Sequence, residues 1–311
     1  MKRFKNILYY ADYEDDQEHA LNRAVNLARS NGATLTIIDV IEDSDIAADV
    51  DRQFGFDLNE MRSQQRIEEL ETIVKKFSDK NVVMIPKVVI GIAFIELIRA
   101  VINDGYDLLI KSAQIQSGII DRIFGSCDMH LLRKCPCPVW IDGQKSVYPY
   151  RNIIAAVDPA AENSHEINKL IMDLSTSLAE KESANLHVIH AWQMEGESYL
   201  HSPRSRLSKA EIDILLSSTE KKYRQKLDDL LANYHLTSDS TNVRLIKAKP
   251  VEAILSTASE INADLIVMGT VGRVGIPGFF IGNTAEDVLQ SVNMSVLAVK
   301  PEGFISPVEP E

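Results

Sequence analysis

Short apolar runs and longer amphipathic stretches alternate along this chain from one end to the other. The runs at 5–11, 34–41, 82–90, 107–111 and 138–142 read as strands. Between them apolar residues recur at steps of three and four, as in Ile67, Leu70, Ile73, Val74 and Phe77, which predicts a helix. Asp57 and Glu60 ahead of it form a capping-box variant. A second succession follows, with strands at 152–157, 185–191, 242–247, 264–268 and 295–300. Its long helix opens with the capping box of Ser208 and Glu211 and continues through Leu215, Leu216, Tyr223, Leu227, Leu230, Leu231 and Tyr234. Strand–helix alternation with nearly continuous apolar strands predicts an α/β fold whose parallel sheet is covered on both faces. Ligands of such sheets sit at the carboxyl ends of the strands, where the strand order reverses.

The succession is an internal repeat. Arg3-Phe4-Lys5-Asn6 before an apolar run ending at Asp12 matches Pro149-Tyr150-Arg151-Asn152 before a run ending at Asp158, an offset of 146. Asp107-Leu108-Leu109-Ile110 matches Asp264-Leu265-Ile266-Val267, and Gly125 matches Gly282, both at an offset of 157. A repeat of this length means duplicated domains rather than a solenoid. The expected domains are 1–143 and 150–301, joined by a short linker, with a flexible tail at 302–311.

Composition narrows the class. The 311 residues are 45% hydrophobic and 25% charged, as expected of a globular protein with a real core. A formal net charge of −12 argues against nucleic acid and anionic membrane as partners. No run is long enough for a membrane span or a secretory core, so a cytoplasmic location is expected. The three cysteines, Cys127, Cys135 and Cys137, are too few and too close for a disulfide framework or a zinc pair, and read as small core residues. His19 and His165 are repeat equivalents read as exposed or capping residues, and His187 and His190 point to opposite faces of one strand. No metal site is expected.

The candidate chemistry lies after the strand ending at Met268. Gly269 and Gly272 are followed by Arg273 and then, with nine residues (273–281) between it and Gly272, by Gly282-Asn283-Thr284 at the start of a helical pattern. Glycine permits positive φ and close backbone approach. The first amides of a helix lack internal partners and favour an anion. Arg273 adds a cation and Thr284 a hydroxyl. Gly278-Phe279-Phe280-Ile281 within this loop is read as loop packing.

Gly-x2-Gly-x9-Gly-Ser/Thr, with an Asp closing the first strand, is the nucleotide-binding signature of universal stress proteins. The chain resembles that family over nearly its whole length, once per half, and resembles its tandem-domain members in particular. The resemblance implies two doubly wound five-stranded parallel sheets of order 3-2-1-4-5, Rossmann-like and similar to adenine nucleotide alpha hydrolases. It implies ATP or a related adenine nucleotide as ligand, with or without Mg. Ala156, Val157, Asp158 and Ala191 would then face base and ribose, and Met268, Gly269, Gly272, Arg273, Gly282, Asn283 and Thr284 the phosphates. Asn283 departs from the family's Ser or Thr. Tandem members also mimic the family dimer within one chain, with strands 138–142 and 295–300 facing each other.

The first half has lost the loop. Its counterpart positions are Asp12, Val40, Lys111, Gly125 and Ser126; Ser112 stands for Gly269 and Ile115 for Gly272. No triphosphate binding is expected there. Lys111 and Asp12 close strands that the family's strand order would make neighbours, and they are expected to pair in the vacated site; the alternatives are a lysine that reaches solvent and one that recognises a different anionic ligand.

The leading expectation is a non-enzymatic, nucleotide-responsive stress protein whose loop surface a protein partner reads. The alternatives are a scaffold or carrier of another small or lipid-like ligand, and a weak ATPase or phosphotransferase. The sequence leaves association beyond the intramolecular pair open.

Overall fold

The computed structural model describes residues 3–12, 18–44, 46–78, 81–113, 124–143, 148–202, 204–270 and 282–310. The first half runs β1 (Asn6–Tyr10), α1 (Glu18–Asn31), β2 (Thr34–Ile41), α2 (Ala47–Phe54), α3 (Leu58–Lys76), β3 (Met84–Ile90), α4 (Ala93–Asp104), β4 (Leu108–Ser112), α5 (Ser126–Lys134) and β5 (Val139–Asp142). The second runs β6 (Asn152–Ala156), α6 (His165–Glu182), β7 (Asn185–Trp192), α7 (Glu197–Leu200), α8 (Lys209–Leu231), β8 (Val243–Lys247), α9 (Pro250–Ile261), β9 (Leu265–Gly269), α10 (Asn283–Ser291) and β10 (Ser295–Val299).

Each repeat signature has a structural cause. The Asp107 carboxylate accepts hydrogen bonds from the backbone N–H of Lys5 (2.6 Å) and Asn6 (3.2 Å), tying the start of β1 to that of β4. Asp264 does the same for Arg151 (2.6 Å) and Asn152 (2.9 Å). The caps predicted for the long helices are present: Asp57 accepts from the Glu60 amide at 2.9 Å, and Ser208 and Glu211 cap each other. α4 ends at Gly105 with φ 66°, where a side chain would be strained.

Within each half the strands are parallel and ordered 3-2-1-4-5, as expected. The two expected sheets are, however, one ten-stranded sheet, because β5 and β10 pair antiparallel through Ile141↔Val296, Trp140↔Leu297 and Val139↔Ala298. Alternating strand residues feed two apolar layers that run across both halves. Ile7 and Tyr9 join Leu70 and Leu227 under α1, α3, α6 and α8. Leu8 and Ile154 join Leu131 and Leu289 under α4, α5, α9 and α10. The antiparallel seam makes the carboxyl ends of the two halves face opposite directions. After Lys300 the chain forms no helix or strand among the described residues, and Val308 packs against the second layer. No helix among the described residues is long and apolar enough to cross a membrane.

A buried charged network crosses the seam. Arg23 of α1 lies 3.2 Å from Asp142 of β5 and 3.2 Å from Glu182 of α6, and all three side chains are almost wholly buried. The Tyr150 hydroxyl donates to Asp142 (3.1 Å) and accepts from Trp140 Nε1 (3.2 Å), while Ser295 Oγ donates to Asp142 (3.0 Å). The Arg23 guanidinium also lies 3.8 Å from the centre of the Tyr150 ring. Removing one partner leaves buried charge uncompensated. Arg23→Met is therefore expected to lower the unfolding free energy by about 3–5 kcal/mol in urea titration. Tyr150→Phe should lower it by about 1 kcal/mol. A cost below that of Tyr150→Phe for the arginine change would show that the seam does not rely on this charge.

Candidate ligand site at the carboxyl ends of the strands

In the second half, β6, β7 and β9 end together, and α10 begins beside them. Gly282 caps α10 at φ −65°, ψ 142°, and its N–H donates to the Thr270 carbonyl at 2.9 Å. Asn283 is exposed and Thr284 half-buried, so the amides of the first turn open outward. Gly269 ends β9. Of the two freedoms glycine permits, positive φ is not used here, since Gly269 is not among the left-handed residues; close approach is, since a Cβ there would lie 2.8 Å from Ile167 Cδ1. Its smallness makes room for α6. Met268 is buried beneath. Gly272, Arg273 and the apolar stretch 278–281 lie outside the described residues, as does Ile115 of the first half.

At the other end of the crevice, Asp158 follows β6. Its amide donates to Asn168 Oδ1 (2.9 Å), its carbonyl accepts from Ser164 Oγ (2.9 Å), and its carboxylate is 42% exposed. His190 is fully buried, with Nδ1 3.1 Å from the Val157 carbonyl and 3.9 Å from Asp158 Oδ1. Its ring lies 5.6 Å from that of Tyr223 on α8, which also stacks with Trp192 at 5.6 Å. Ala156 and Ala191 are half-buried and Val157 is buried. The second half thus has an aromatic end, an exposed carboxylate and a helix start in one row.

The corresponding place in the first half is filled by its own side chains. Lys111 and Asp128 form an ion pair in which both side chains are fully buried. Asp128 is the third residue of α5, and its other oxygen accepts from the Gly125 amide at 2.9 Å. A carboxylate of the protein therefore occupies the helix start that an anion would use. Ser126 begins α5, as expected. The expected partner of Lys111 was Asp12; the partner found is Asp128, and Asp12 acts on Lys111 only as a weaker, longer-range charge. The reason is geometric: Asp128 comes down from the helix above β4, whereas Asp12 must reach sideways from β1. Nor does Lys111 reach solvent. Burial pulls its pKa down, but Asp128, with smaller contributions from Cys127 and Asp12, holds it above the ordinary value. Burial likewise pushes the neighbouring Cys127 thiol up to about 12.

The other end of the first crevice is closed too. Arg66 of α3 pairs with Asp39 of β2 and donates to the Ala11 carbonyl at 3.5 Å. Burial raises the Asp39 pKa against the pull of Arg66. Val40, beside Asp39, is buried.

Register pairs these features across the repeat. Leu8 faces Thr36 as Ile154 faces His187, which sets Asp39 against His190. Fully buried Leu70 and Leu227 set Arg66 against Tyr223. The 157 offset sets Lys111 against Met268 and Asp128 against Ala285. At one contact the first half has the Lys111–Asp128 ion pair where the second has Met268 and Ala285; at the other it has the Arg66–Asp39 ion pair where the second has the His190–Tyr223 ring contact. Asp128 escaped attention in the sequence because it reads as an ordinary acidic residue in a first helical turn; only its alignment with Ala285 singles it out.

A profile of the universal stress protein family matches residues 3–142 and again 149–300, and the chain belongs to that family. It is 27% identical over 317 residues to universal stress protein E of Escherichia coli strain K12, covering 99% of this chain and 98% of that one. It is 26% identical over 328 residues to universal stress protein E of Photorhabdus laumondii, covering 99% of each. Among solved structures, a functionally unknown protein of Pseudomonas aeruginosa PAO1 matches with a TM-score of 0.76 at 22% identity, over 97% of this chain and 95% of that one. A universal stress protein of Archaeoglobus fulgidus matches with a TM-score of 0.62 at 18% identity, over 95% and 98%. Family membership supports a role in the stress response.

Lys111→Met alone strands a buried carboxylate and is expected to cost about 3–5 kcal/mol. Lys111→Met with Asp128→Ala copies the second half and should recover most of that loss, with a coupling energy of about 2 kcal/mol or more in chemical denaturation. Additive losses would show that the two side chains do not act as a pair.

Proposed function

We propose that this protein binds one adenine nucleotide, ATP or a relative, in its second half and serves as a nucleotide-responsive stress module rather than an enzyme. The observation that carries this reading is the contrast between the halves: two ion pairs fill the crevice of the first, while the equivalent positions of the second are Met268 with Ala285 and His190 with Tyr223, neither of them an acid–base pair. An adenine nucleotide has a flat base at one end and a run of negative charge at the other. Tyr223 and Trp192 suit the base side, with Ala156, Val157 and Ala191 as the floor and Asp158 within reach of ribose hydroxyls. The α10 amides at Asn283 and Thr284, capped by Gly282 and approached over Gly269 and Met268, suit the phosphates. Asn283 replaces a hydroxyl with an amide donor, which leaves the backbone cradle as it was.

Binding without turnover fits the position of Asp158. This carboxylate lies at the base end of the crevice, and its backbone is held by Asn168 and Ser164. The response would be a change in the surface around α10, read by a protein partner.

Isothermal calorimetry with ATP is expected to show one site per chain. Gly282→Val keeps an allowed backbone, since φ there is −65°, yet puts a branched side chain where the phosphates approach. It should weaken binding by at least about tenfold, the loss of one charge-assisted hydrogen bond. Two sites per chain, or undiminished binding by the variant, would overturn the assignment, and phosphate release by the wild type that the variant loses would replace it with an ATPase.

A further inference from the structure

Among the described residues two lysines near strand ends are buried, and they are balanced differently. Lys111 has Asp128. Lys300, which follows β10, is only 6% exposed. Its ammonium donates to the carbonyl of Leu132 in the last turn of α5 and to Thr270 Oγ1, and lies 5.2 Å from the centre of the Phe304 ring. Among the described residues no carboxylate bonds it, and the loop between Thr270 and Gly282 contains no Asp or Glu. A helix C-terminus, a hydroxyl and an aromatic face each favour a cation, but none supplies a full negative charge. Burial accordingly lowers the Lys300 pKa to about 8.

The position of this charge is informative. Thr270 is the residue that receives the Gly282 amide, so the ammonium is joined through one residue to the start of α10. Where the first half has a carboxylate at its helix start, the second has Ala285 and a lysine that bonds no carboxylate among the described residues. The repeat equivalent of Lys300 is Gly143, so this cation belongs to the second site alone. The other titratable groups that bear on it are Cys135 and Cys137, which follow α5. Burial raises the Cys137 thiol well above its ordinary value, so it supplies no anion as Lys300 titrates. Arg133 of α5 and Glu286 of α10 satisfy each other across the same junction.

We propose that Lys300 is the counter-charge of the second-half site, a positioning residue whose ammonium is balanced by the phosphate group of a bound phosphorylated ligand. This rests on the assignment of that site as a phosphate site but does not require the ligand to be a nucleotide. Binding of the anion and protonation of Lys300 are then linked. An anion that favours the ammonium raises its pKa. Affinity is therefore full below pH 8 and falls as the pH climbs from 8 to the higher pKa of the complex. Each unit of rise corresponds to a tenfold loss of affinity over that interval.

The test is NMR titration of the full chain with 13C-labelled lysine, alone and saturated with ATP, pyrophosphate or inorganic phosphate, beside calorimetry on wild type and Lys300→Met. The expected result is a lysine resonance with a midpoint near pH 8, absent from Lys300→Met, that moves up by about one unit with at least one of these anions. Lys300→Met, which places a neutral chain in an apolar setting, should bind that anion about tenfold more weakly at pH 7 while remaining folded by circular dichroism. If pyrophosphate or phosphate moves the midpoint and ATP does not bind, the lysine assignment stands and the nucleotide reading fails. If ATP binds wild type and Lys300→Met equally and the midpoint stays fixed, the nucleotide reading stands and the lysine assignment fails. A midpoint that no anion moves overturns the lysine assignment even if Lys300→Met unfolds, because that measurement needs only the wild type.

Discussion

A charge taken out of water must meet an opposite charge, or its protonation shifts until it is no longer a charge. Four cations among the described residues face that constraint, and the differences among them organise the rest. Arg23 meets Asp142 and Glu182 across the seam. Lys111 meets Asp128, and Arg66 meets Asp39, inside the first half. Among the described residues Lys300 bonds only the Leu132 carbonyl and Thr270 Oγ1, beside the start of α10. Three are closed arrangements. The fourth has no carboxylate partner among the described residues, and it is bonded to Thr270, whose carbonyl holds the start of α10.

The seam gives this asymmetry its geometry. Antiparallel pairing of β5 and β10 turns the two carboxyl ends away from each other, so a closed crevice and an open one face opposite directions. It also brings the end of β10 beside the start of β5, so Lys300 can reach the last turn of α5. The first turn of that helix holds Asp128. One nine-residue helix thus touches the filled site at its start and the open site at its end.

Much of the fold was legible in the sequence because its signals are local or periodic. The apolar runs located all ten strands, the Asp57 and Ser208 caps located two helix starts, and the paired Asp107 and Asp264 motifs revealed the duplication. Fusion of the sheets was legible only through the family resemblance, since nothing in 138–142 or 295–299 announces an antiparallel partner. Side-chain pairing was the least legible. Lys111 was correctly singled out, but its partner depends on whether a carboxylate approaches from above the strand or beside it, and spacing does not encode that. Lys300 reads as a charge leaving a strand for solvent, and only the packing of α5 against the end of β10 buries it. Gly269 was read as permitting positive φ or close approach, and which of the two applies is set by Ile167, a contact with no sequence signal.

The central claim is that one crevice is closed by its own charges and the other awaits a ligand. Amide hydrogen exchange followed by mass spectrometry, with and without saturating ATP, tests it most directly. The account predicts slowed exchange in peptides covering Asn283–Ala285 and no change in those covering Ser126–Asp128. Equal protection at both helix starts, or protection only at the first, would contradict it.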